Sequence, residues 1–69
     1  MSKLDYCNIP IFYKRVTVEH HNKMREWLYE NIDPECYDAE RWETVNGTQG
    51  RRIWFAKEQD AVMFALRWL

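Results

Sequence analysis

Both glycines of this chain fall within five residues, in the stretch NGTQG (46–50). Glycine adopts the backbone conformations of a tight reversal without the steric cost a Cβ brings, so this is the strongest turn signal in the sequence. The segments on either side suit strands. CYDAERWETV (36–45) is polar, but its RWETV end alternates, and RRIWF (51–55) is rich in β-branched and aromatic residues. The spacing predicts a β-hairpin, with strands over 36–45 and 51–55 and a turn over 46–50. The remainder of the fold has to be built around that ribbon.

Upstream, the hydrophobic period changes once. IFYKRVTV (11–18) reads as a strand, with Phe12, Val16 and Val18 on one face and Ile11, Tyr13, Arg15 and Thr17 on the other. EHHNKMREWLYENI (19–32) then carries Met24, Trp27, Leu28 and Ile32 on one helical stripe, with Lys23, Glu26 and Glu30 opposite. Asp33-Pro34 ends that helix, because the residue before proline is pushed out of the α region. The last segment is also helical. Ala61, Phe64, Ala65 and Trp68 form its inner stripe, Glu58 and Asp60 its first turn, and Arg67 its last, in agreement with the helix dipole. Residues 1–10 read as an irregular lead-in.

The resulting order, β-α-β-β-α, specifies an α+β fold: a three-stranded antiparallel sheet in order 1-3-2 with both helices on one face, a truncated ferredoxin-like arrangement. The first strand becomes an edge, and exposed edges invite pairing with another chain. A length of 69 residues allows one domain, 1–69, with no internal repeat or linker, and lies near the lower limit for folding without a metal or disulfides. Eleven aromatic residues, four Trp, four Tyr and three Phe, supply core area that length cannot.

The charge balance narrows the function classes. Ten basic and eleven acidic residues leave a formal charge of −1, without the basic excess typical of nucleic-acid binders. A local alternative is a basic and aromatic sheet face built from Lys14, Arg15, Arg51 and Arg52 with Tyr13 and Trp54, although the acidic second strand adjoins it. His20 and His21 are adjacent and so cannot form an i, i+4 metal pair. With Cys7 and Cys36 they make no motif of paired ligands, so no metal or cofactor is expected. Cys36 with either histidine has no nucleophile signature, the only serine is Ser2, and the acids Asp33, Glu35, Asp38, Glu40 and Glu43 read as a solvated face. No enzymatic activity is expected. The N-terminus has no apolar run of signal length, and no stretch approaches the roughly 20 apolar residues that span a membrane. A cytoplasmic location is expected, with both cysteines as small reduced hydrophobes.

The last helix carries more apolar surface than one sheet covers. At 100° per residue its apolar side chains spread over about 200° of circumference, twice the stripe a surface helix needs. Val62, Leu66 and Leu69 on its outer flank, with Tyr13, Trp42 and Trp54 on the uncovered sheet face, are the expected interface residues. The expected partners are a second copy, as a homodimer, and a host or viral protein.

The ending FAKEQDAVMFALRWL resembles the C-terminus of small uncharacterised proteins from tailed bacteriophages, in which a strand ending in Phe precedes D-A-x-x-F-x-L-R-W. The matching positions are Phe55, Asp60, Ala61, Phe64, Leu66, Arg67 and Trp68, over about the last third of the chain. The resemblance implies a viral origin, a host-cytoplasmic location and no activity. It also implies action by binding a host protein or nucleic acid, or a role in assembly.

Overall fold

The computed structural model describes residues 3–69. Its centre is the hairpin. Asn46 and Gly47 both have positive φ, 51° and 80°, the two-residue reversal whose twist matches the flanking strands. The turn is therefore only two residues long, and strand β4 begins at Thr48, three residues earlier than expected, and runs to Phe55. Thr44 and Val45 of strand β3 (Glu43–Val45) pair with Gln49 and Thr48. Gly50 serves a different purpose from Gly47. A Cβ there would collide with the ring of Phe12 and the carbonyl of Tyr13, so its lack of a side chain lets the neighbouring strand lie close.

That neighbour is β1 (Ile9–Lys14), antiparallel to β4 with Ile9 opposite Phe55, Ile11 opposite Ile53 and Tyr13 opposite Arg51. It starts and ends earlier than the expected 11–18. Pro10 is accommodated because β1 pairs on one side only, where a missing N–H has no ladder to break. The strand stops because Thr17 is used as a helix cap, its hydroxyl accepting from the His20 N–H at 3.2 Å, and Val18 is already the first residue of helix α1 (Val18–Asn31). Of the expected lead-in 1–10, Lys3–Asp5 forms a 3-10 turn and Ile9 and Pro10 belong to β1. Met1 and Ser2 lie outside the described residues.

Helix α1 ends before Asp33-Pro34, and the Asp33 carboxylate accepts from the Glu35 N–H at 2.9 Å to start a second 3-10 turn, Pro34–Cys36. The expected strand 36–45 then appears as two pieces, β2 (Tyr37–Ala39) and β3, both on the β4 edge opposite β1. The sheet thus has four strands, with β4 central, β1 on one side, and β2 and β3 on the other. The break has a cause visible in the register. Ala39 pairs with Ile53 and Glu43 with Gly50, so three residues, 40–42, stand opposite two, 51 and 52. This is a β-bulge, one extra residue that interrupts the ladder and reverses the alternation beyond it. The Glu40 N–H still donates to the Arg52 carbonyl at 3.0 Å, which holds the bulge to the central strand.

Helix α2 (Glu58–Trp68) closes the chain. Both helices contribute to one core with the sheet face that carries Tyr13, Ile53 and Phe55. Met24, Leu28 and Ile32 come from the α1 side, and Ala61 and Phe64 from α2. Phe64 is fully buried, its ring 5.6 Å from Phe55 and 6.0 Å from Tyr13. The helices meet through Trp68, whose ring lies 5.2 Å from His20 and 6.4 Å from Trp27. Near the chain start, Cys7 is fully buried and its thiol donates to the Glu35 carbonyl at 3.7 Å. Cys7 and Cys36 are both free, and burial pushes the Cys7 thiol up. Among the described residues, no helix is long and apolar enough to cross a membrane.

Candidate functional site

Two surfaces stand out. The first is the outer flank of α2. Leu66 is 83% exposed and Leu69 67%, with Val62 and Met63 beside them at 48% and 41%. At 100° per residue these four cover about 120° of helix surface, continuous with the inward stripe of Ala61, Phe64, Ala65 and Trp68, of which Ala61 and Phe64 are buried. The helix is thus apolar on the side that packs inward and again on a flank that stays largely exposed, Leu66 most of all.

The second surface is a groove of about 660 Å³ between α1 and the β2–β4 side of the sheet. The bulge creates its most distinctive corner. Uninterrupted alternation would send Trp42 to the open face. The extra residue turns it to the helix side, where it meets Tyr13 edge-on at 6.0 Å and His21 at 5.5 Å. Arg51 lies beneath it, its guanidinium 5.4 Å from the Trp42 ring and its Nη1 2.7 Å from His21 Nε2. Guanidinium is always a donor, so His21 accepts at Nε2 and carries its proton at Nδ1. Burial holds the His21 pKa below its ordinary value, and Arg51 and Arg25 push it the same way, which keeps the ring neutral. Burial raises the Tyr13 phenol, with Arg51 opposing, and raises Tyr37 on the groove wall as well.

The sequence-predicted residues divide among these places. Val62, Leu66 and Leu69 are on the exposed flank. Tyr13 is not on the uncovered face. It is 5% exposed in the core, because the alternation of β1 places it with Ile9 and Ile11 toward the helices. Trp42 is not on the uncovered face either, for the register reason just given. Trp54 alone of the three aromatics is there, half-buried, with its indole N–H sealed without an acceptor. The basic set is also split. Arg52 is on the open face, 2.7 Å from Glu43 in an ion pair not aligned as a hydrogen bond. Arg51 is on the helix side. Arg15, past the end of β1, donates to Gln49 at 2.9 Å and lies 5.9 Å from Trp42, and Lys14 is exposed at the strand end. These four do not form one basic surface.

Sequence reasoning passed over His21 and Arg25 as groove residues, although both sit one helical turn apart on α1 and could have been flagged as a basic row. Among the described residues, no group of three or more His, Cys, Asp and Glu side chains is gathered as a metal centre requires. No protein-family model, curated protein or solved structure matches this chain.

Proposed function

We propose that the chain is a small non-enzymatic protein-binding module that acts by covering a surface of another protein with the outer flank of α2. The observation that carries this reading is the row Val62, Met63, Leu66 and Leu69, all exposed on a helix whose opposite stripe already supplies the core. An apolar row of that kind gains stability by leaving water, and a partner's surface would cover it. The phage-like ending supports a host or viral protein as that partner. A second copy related by a twofold axis is the first partner to test, since an isologous contact makes the patch its own complement. The fold is read as a truncated ferredoxin-like arrangement, with β1 as the edge where a further strand would have paired.

The test is Leu66→Glu. Sedimentation of the wild type at about 100 μM should show a dimer, a concentration at which a contact of modest affinity is populated. The variant should sediment as a folded monomer and lose any host partner captured by the wild type. If capture instead survives Leu66→Glu and weakens steeply with salt, the α2 reading fails and nucleic acid takes its place.

A further inference from the structure

Among the described residues, no carboxylate pairs with Arg51. It is half-buried and takes part in neither the Arg52–Glu43 ion pair nor the exposed Lys23–Glu19 pair. Its contacts are a neutral imidazole, the Tyr13 hydroxyl and the face of Trp42, none of them charged, and its Nε–H is sealed from water with no acceptor. Stacking on an indole offsets part of the desolvation of a cation, but it does not neutralise the charge. Two further cations lie nearby. Arg15 approaches Trp42, and Arg25, exposed on the groove wall, acts on His21. A cation that is partly desolvated and lacks a counter-ion marks a place where an anion is favoured.

The rest of the groove restricts which anion. Part of its lining is apolar, where Tyr29, Tyr37 and Ala39 reach the surface above the buried Met24, Leu28 and Ile53, so a ligand with a hydrocarbon body is favoured. Glu26 and Glu30 stand on its α1 rim, where they penalise a second negative charge. A planar, singly charged group suits a guanidinium better than a phosphate dianion in such surroundings.

We propose that this groove binds a small organic monocarboxylate, its carboxylate held at Arg51 and Arg25 beside Trp42 and its apolar body lying along Tyr29, Tyr37 and Ala39. The site is separate from the α2 flank. Ligand binding and protein binding therefore stand or fall independently, and Leu66→Glu leaves the groove intact.

The experiment is calorimetric titration of the full chain with octanoate and with 3-phenylpropionate, using octanol and phenyl phosphate as comparison ligands. At least one carboxylate should bind saturably, one to one, with a dissociation constant below about 1 mM. Octanol should bind at least ~10-fold more weakly than octanoate, since it offers no charge to the guanidinium. Arg51→Met should weaken the carboxylate by ~10-fold or more, while Arg52→Met, on the opposite face, should leave it within about twofold. Should Arg51→Met prove unfolded by circular dichroism, the decision passes to the exposed Arg25→Met, expected to weaken binding by about threefold or more. The proposal is overturned if neither carboxylate binds, if octanol equals octanoate, if phenyl phosphate binds ~10-fold tighter than both acids, or if the folded arginine variants bind as the wild type does.

Discussion

Arg51 and Arg52 are neighbours in the chain and opposites in the structure. One faces the helices, beside a neutral histidine and under an indole. The other faces away, against the carboxylate of Glu43. The same contrast repeats three residues later, where Trp54 is half-buried on the open face and Phe55 is fully buried in the core. The two faces of one sheet thus use similar residues for different ends. The covered side makes the core and a groove, and the open side makes a shallow layer of ion pair and aromatic. Strand alternation separates them, and the bulge at 40–42 moves Trp42 from one to the other.

The contrast breaks most sharply at the last pair. Phe55→Ala should cost about 4 kcal/mol in urea unfolding, from lost transfer energy and the cavity left among Phe64 and Tyr13. Trp54→Ala should cost less, about 1–2 kcal/mol, since part of that ring is already in water. Equal losses would mean that the open face is buried in solution, as it would be in a dimer formed through the sheet.

Gly50→Ala comes next. The Cβ must displace both the Phe12 ring and the Tyr13 carbonyl, and backbone does not yield easily, so about 2–3 kcal/mol is expected in the same assay. A neutral result would show that β1 can slide away from β4 at that point.

Removing the exposed Arg41 tests the bulge itself. With one residue fewer, the β2 and β3 registers coincide and Trp42 stands opposite Arg51, still on the helix side. The edge-on contact with Tyr13 should be kept, so stability should change by less than about 1 kcal/mol. The diagnostic readout is persistence of proton–proton cross-peaks between Trp42 and His21. Loss of those peaks would show that the groove corner depends on the bulge geometry and not only on the side of the sheet.

Replacing the two arginines should give small effects of opposite sign. Arg52→Met removes a partly exposed ion pair and should lower stability by about 0.5 kcal/mol. Arg51→Met removes an uncompensated charge and should leave stability unchanged or raise it. A clear loss at Arg51 would show that the guanidinium is a structural prop for Trp42.

The smallest effect is in pH. His21 is held below its ordinary value of 6.5 in the folded chain, so the unfolded chain takes up the proton first as pH falls. Stability is therefore complete above about 6.5 and declines as pH drops below it toward the folded value. Melting curves from pH 7.5 to 5 should show a steeper fall for the wild type than for His21→Gln. Parallel curves would show that the ring is not desolvated by the groove.

The local grammar of this chain is legible without its structure. Asn46-Gly47 marks the reversal, Asp33-Pro34 the end of α1, and Met24, Leu28, Ile32, Ala61 and Phe64 the inward stripes. Each of these rests on interactions within a few residues, which a linear pattern records directly. The exposed flank of α2 was legible for the same reason: a helix apolar over twice the usual arc must leave some of it uncovered. The groove was not. Its corner depends on counting three residues against two across a strand pair, and polarity in the segment DAERWE carries no trace of that count. Tyr13 and Trp42 were assigned to the open face by alternation alone. Alternation states which residues share a side but not which side the helices take, and one inserted residue reverses it. The neutral pairing of Arg51 with His21 joins positions thirty residues apart. Only the packing of α1 on the sheet brings them together, and the burial that follows, with Arg51 and Arg25 nearby, lowers the histidine pKa.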